Sequence, residues 1–181
     1  MNGTHWNWAF GVALGVAASG CARGHDRAPE VPPAVAAWDQ DEDGLLSERE
    51  YQAGVDDAGL FKEFDTDDNG YLTSDELRFG LFEAWDQNND TLLTEEEFAR
   101  GSRQWFGSED RYGTFAAGDA NGDRLIGYDE FLDHALRIHA GWNQNADPLL
   151  DAREFSSGLF EDQDQDDDGS VRDNEFGLPI D

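Results

Sequence analysis

The sequence holds one cysteine, Cys21, and one methionine, Met1. A solitary thiol forms no internal disulfide and no thiolate zinc cluster. The flexible thioethers that line promiscuous peptide-binding grooves are missing as well. Bases are scarce: 12 Lys and Arg stand against 41 Asp and Glu, a formal charge of −29. So acidic a chain repels polyphosphate, which excludes nucleic acid as a partner and disfavours anionic membrane surfaces. No serine-nucleophile motif, phosphate loop or zinc motif occurs, so no enzymatic activity is expected. The four histidines include His134 and His139, which are five apart and off the i, i+4 face that chelation uses, so they are expected at the surface.

What the chain does contain is ordered. Residues Asp65 to Glu76, DTDDNGYLTSDE, place side-chain oxygens at positions 1, 3 and 5 (Asp65, Asp67, Asn69), a carbonyl at 7 (Tyr71) and a carboxylate at 12 (Glu76). Gly70 at position 6 makes the sharp turn. Calcium takes six to eight oxygens at about 2.3–2.6 Å, and such a loop with a bidentate final Glu supplies them. Five further windows answer to the same spacing, starting at Asp39, Asp86, Asp119, Asn143 and Asp164. Position 8 is Leu46, Leu72, Leu93, Ile126, Leu150 and Val171, an aliphatic residue every time, which acidity alone does not produce. Over residues 35 to 178 the chain resembles the EF-hand family of calcium-binding proteins.

The resemblance implies an all-α fold of tandem helix–loop–helix hands with small two-stranded pairings between loops. It also implies Ca2+ as the bound ion, with ligands assigned loop by loop. These are Asp39, Asp41, Asp43, Leu45 and Glu50; Asp65, Asp67, Asn69, Tyr71 and Glu76; Asp86, Asn88, Asp90, Leu92 and Glu97. They continue with Asp119, Asn121, Asp123, Leu125 and Glu130, and with Asp164, Asp166, Asp168, Ser170 and Glu175. Leu45, Tyr71, Leu92, Leu125 and Ser170 would contribute backbone carbonyls. Position 6 calls for a positive φ, which is costly at Thr91 and Arg124, so loops three and four are expected to bind more weakly. Loop five has Asn143 at position 1 and Pro148 at position 6, whose ring forbids that turn. It is expected to be a structural hand, leaving about five ions for the chain. In loop six Arg172 takes position 9, where a lost water-mediated contact is tolerable.

Ahead of the loops, Trp8 to Ala18 is an apolar run of about eleven residues, too short to span a bilayer as a helix but fitting a secretory signal. Ala18, Ser19 and Gly20 lead into Cys21, which resembles a bacterial lipoprotein signal. Residues 1–20 are therefore expected to be a signal peptide and Cys21 a lipidation site, with ordinary secretion as the alternative. Localisation would be periplasmic or cell-surface, with membrane contact only through that lipid. Residues 21–37 contain Pro29, Pro32 and Pro33 and read as an irregular tether.

Loop starts are separated by 26, 21, 33, 24 and 21 residues, and GLFE recurs at 80–83 and 158–161. The pattern marks a duplicated triplet, residues 38–108 and 109–178. Only nine residues separate Glu76 from Asp86, so one helix must serve both loops and hold them at its opposite ends. The symmetric scheme expected is one with two, four with five, and three with six; the competing scheme pairs three with four. Two functional expectations follow. Ions could be structural or buffering, or the protein could be a calcium-responsive adaptor that shows an apolar surface, such as Trp105 and Phe106, to an unidentified protein partner.

Overall fold

The computed structural model describes residues 33–178. The expected signal segment, Cys21 and the tether up to residue 32 lie outside the described residues. The first half runs α1 (Pro33–Trp38), β1 (Leu46–Ser47), α2 (Glu48–Asp57), α3 (Leu60–Phe64), α4 (Ser74–Trp85), β2 (Leu92–Thr94) and α5 (Glu95–Phe106). The second runs α6 (Phe115–Gly118), β3 (Leu125–Gly127), α7 (Leu132–Trp142), α8 (Ala152–Gln163) and β4 (Ser170–Val171). The described chain is thus mostly helical, with small antiparallel sheets. None of these helices is long and apolar enough to cross a membrane. Residues 33–37, read as tether, are helical instead. Pro33 is the first residue of α1, where a missing N–H costs nothing and a fixed φ suits the helix.

Helix starts are written into the windows at positions 9 and 12. Ser47, Thr73, Thr94 and Asp151 each accept a hydrogen bond from the backbone N–H of Glu50, Glu76, Glu97 and Glu154, and each Glu reaches back to the cap's N–H. This reciprocal box satisfies two donors that a helix start otherwise leaves open. The same glutamates therefore begin a helix and close a loop. Windows four and six, with Gly127 and Arg172 at position 9, lack the side-chain cap, but Glu130 and Glu175 still accept from those two backbone N–H groups at 3.0 Å.

Loop pairing differs from the favoured scheme. Leu46 lies opposite Val171, Leu93 opposite Ile126, and Leu72 bridges Leu150, so loop one pairs with six, two with five and three with four. All six position-8 side chains are fully buried. The connectors differ: between loops four and five α7 runs unbroken, whereas between loops one and two the chain bends from α2 into α3 at Gly59 (φ 71°). The stretch after α5, the longest connector, turns back: Gly107 caps that helix in the left-handed region (φ 66°) and donates to Arg103 O at 2.9 Å. Folding there brings three onto four and nests the remaining pairs. Shifting every loop by one triplet turns one–six into four–three and leaves two–five on itself, so a pseudo-dyad runs through the Leu72–Leu150 bridge. The helix packing agrees, with α4 on α7 matched by α2 on α8.

Packing depends on a second recurrence that falls outside the twelve-residue frame. The aromatic residue just before a loop lies against a glycine four residues past that loop's final Glu. A Cβ added at Gly54, Gly80, Gly101 or Gly158 would come within 2.0, 2.4, 2.3 and 2.2 Å of the rings of Trp38, Phe64, Trp85 and Trp142. In window four the partners are exchanged, with Gly118 before the loop and His134 after it, 2.6 Å from where that Cβ would stand. His134, expected at the surface, is consequently buried, and His139, expected there as well, is also buried. Trp105 and Phe106 are buried too, so they form no exposed patch.

The turn after Gly107 is pinned by one buried carboxylate. Asp162, 1% exposed, accepts from Trp142 Nε1 (2.9 Å) and from the Tyr112 hydroxyl (2.9 Å), and forms an ion pair with Arg111. Burial pushes it from its ordinary 3.8 up to about 6, although the Trp142 hydrogen bond and Arg111 pull the other way. A raised folded-state value contributes stability that is complete below the unfolded value and is lost as pH rises through about 6. Relative to Asp162→Asn, the wild-type protein should therefore lose about 2–3 kcal/mol between pH 4 and pH 7. Urea titrations of both proteins across that range measure the difference; parallel curves would show that Asp162 ionises normally.

Candidate metal-binding loops

In loop two the donors converge through hydrogen bonds from the loop's own backbone. Asp65 Oδ2 accepts from Gly70 N at 2.8 Å and Oδ1 from Asn69 N at 3.0 Å. Asp67 Oδ1 accepts from Asn69 N at 3.1 Å, and Asn69 Oδ1 from Tyr71 N at 2.8 Å. Glu76 folds over from α4, accepting from Thr66 N at 3.1 Å and Thr73 N at 3.0 Å. The turn that allows this has Asp68 and Gly70 at φ 53° and 84°. Each carboxylate turned inward this way keeps a lone pair for a cation.

The same arrangement recurs. The position-6 N–H donates to the position-1 carboxylate at 2.8 Å in loops one, three and six (Gly44 to Asp39, Thr91 to Asp86, Gly169 to Asp164) and at 3.0 Å in loop four (Arg124 to Asp119). The N–H groups of Leu45, Leu92, Leu125 and Ser170 donate to Asp43, Asp90, Asp123 and Asp168 at 2.9–3.0 Å. Thr91 and Arg124 do adopt the positive φ the spacing demands, 70° and 69°. Three groups bring carboxylate oxygens within 4.8 Å of one another: Asp39, Asp41 and Asp43; Asp65, Asp67 and Glu76; Asp164, Asp166 and Asp168. These fall in the three windows that match at every key position. Loops three and four place the amides Asn88 and Asn121 at position 3, whose oxygens accept from Asp90 N and Asp123 N at 2.8 Å.

Loop five departs at the predicted place. Pro148 has no N–H to give, and Asn143 turns its amide onto the carbonyl of Asp147 while its oxygen accepts from Ala146 N at 2.7 Å. Its first-position side chain is thus spent on the loop itself. Glu154 nevertheless accepts from Gln144 N at 3.0 Å, and Leu150 makes its bridge, so the loop keeps its pairing.

One feature escaped sequence reasoning. Position 4 is left-handed in every window, at Glu42, Asp68, Asn89, Gly122, Ala146 and Asp167 (φ 53–76°). The signal was available, because Asp, Asn and Gly, the residues most tolerant of that region, occupy four of the six.

Electrostatically these loops concentrate like charge. Desolvation and the neighbouring Asp43 raise Asp41, whereas hydrogen bonding to Ser47 lowers Glu50. Glu76 is desolvated, yet bonds from Thr73 and Thr66 hold it below the usual carboxylate range. Asp65, Asp86 and Asp164 are each less than a tenth exposed. Buried acids at the centre of an all-oxygen cage match a divalent hard cation, which would offset the cost of their burial. No family model and no curated protein matches this chain.

Proposed function

We propose that this protein is a six-hand EF-hand protein that binds about five calcium ions, in loops one, two, three, four and six. The observation that carries the reading is the position-6 N–H to position-1 carboxylate bond, repeated in those five loops and missing from the fifth. Calcium acts as a structural cross-link and buffer. In loops one to four each ion ties the ends of two helices together, and each loop pair joins the two halves of the chain. Magnesium prefers a tight octahedron and keeps its waters, so the bidentate Glu at position 12 favours the larger ion. The Trp8–Ala18 run and Cys21 support export and lipid anchoring, in the periplasm or at the cell surface. Catalysis is not part of this reading, because the clustered carboxylates already belong to the loops.

The adaptor alternative needs an apolar surface, and Tyr71, Phe79 and Leu136 are the large exposed apolar side chains among the described residues. Burial of Trp105 and Phe106 weighs against it. Calorimetric titration of the metal-stripped chain tests the proposal: about five calcium sites, filled near or below about 0.1 mM, with no new dye-binding surface. A surface uncovered on filling would favour the adaptor, and no calcium heat at all would overturn both.

A further inference from the structure

Loop six carries its own cation. Arg172 stands at position 9, and its guanidinium spans the carboxylates of positions 3 and 5: Nη1 lies 2.9 Å from Asp166 Oδ2, and Nη2 pairs with Asp168. The backbone of the same residue is tied to the loop, its N–H donating to Glu175 Oε2 at 3.0 Å. Loops one and two, the other two with full acid sets, have Ser47 and Thr73 at position 9, uncharged residues that cap the following helix. Among the described residues, this is the only one of the three groups of clustered carboxylates with a side-chain cation across it.

We propose that Arg172 is a tethered competitor for the metal at loop six. This inference rests on the calcium reading of that loop. A guanidinium is always charged and its planar fork matches paired carboxylates, so it holds Asp166 and Asp168 in place while no metal is bound. A divalent ion arriving at the same oxygens must displace the fork or sit beside its charge. Either way some binding free energy is lost, and loop six fills after loops one and two although its acids match theirs. Because β4 pairs with β1, the arginine also keeps the loop one–six contact assembled at low calcium.

The test is calorimetric titration of the metal-stripped full chain with calcium chloride, comparing wild type, Arg172→Gln, Arg172→Lys and Glu175→Gln. Glu175→Gln identifies the loop-six site by removing it. Arg172→Gln should tighten that site about tenfold at low salt, as expected for deleting a unit charge next to a divalent ion, with the other sites unchanged. The gain should shrink as sodium chloride rises to about 0.5 M, and Arg172→Lys should stay close to wild type because it keeps the charge. An unchanged or weakened loop-six site in Arg172→Gln, with the other loops still binding, overturns the competitor role and leaves the calcium reading intact. Loss of binding in every protein, wild type included, removes that reading itself.

Discussion

If the five loops hold calcium as proposed, stripping it from this protein is expected to lower its melting temperature by about 20 °C or more. An ion that binds only the folded state at a hundred times its dissociation constant contributes about 2.7 kcal/mol. Five such sites would supply on the order of 10 kcal/mol, as much as the whole stability of an ordinary domain. For a chain of this length each kcal/mol moves the midpoint by roughly 2–4 °C. The metal-free side of the balance is also poor, because the chain carries a formal charge of −29 and sets Asp39, Asp41 and Asp43, or Asp164, Asp166 and Asp168, within 4.8 Å of one another. Scanning calorimetry in millimolar calcium and in excess chelator measures the effect. A shift below about 5 °C would mean that the ions do not hold the fold, whatever their affinity.

The second large effect is expected at Trp142. Its ring lies against Gly158, meets Phe155 edge-on at 5.5 Å and Phe106 at 6.1 Å, and its Nε1 donates to the buried Asp162. Truncating a buried tryptophan to alanine costs about 3–5 kcal/mol. Losing the hydrogen bond to a charged partner adds about 1.5–3 kcal/mol. Trp142→Ala should therefore lose about 5 kcal/mol or more and be close to unfolded without calcium. Trp142→Phe, which keeps most of the packing but not the donor, should lose about half of that. Urea denaturation in calcium reads both. If the Phe variant matches wild type, the bond to Asp162 is not stabilising; if the Ala variant loses under about 2 kcal/mol, the ring's packing is not what holds α7 to α8.

Much of the local architecture was legible in residues alone. Thr73 and Glu76 announce the start of α4 because a cap and its third helical residue are neighbours in sequence. Pro148 announces the departure of loop five because a fixed φ and a missing N–H act within one residue. Leu46, Leu72, Leu93, Ile126, Leu150 and Val171 announce their burial by recurring in one slot. The glycines at 54, 80, 101 and 158 were passed over, since their partners are aromatics sixteen residues earlier and no twelve-residue frame contains both. His134 was misread for the same reason: its burial follows from Gly118 leaving room for it.

Loop pairing was the principal misreading. A symmetric duplication admits more than one symmetric pairing, and symmetry by itself does not choose between them. The 33-residue step held the correct clue, since it leaves the longest connector and the most room for the chain to reverse between loops three and four.

The sequence by itself determined the six frames, the capped helix starts after loops one, two, three and five, the aliphatic slot at position 8 and the odd character of loop five, because each depends on contacts within about a dozen residues. Tertiary structure alone decided that loop one meets six, that Trp105, Phe106 and His139 are inside, and that Arg172 lies across Asp166 and Asp168. Those outcomes depend on how rigid helices can be brought together, and on where a long side chain finds opposite charge once they have been.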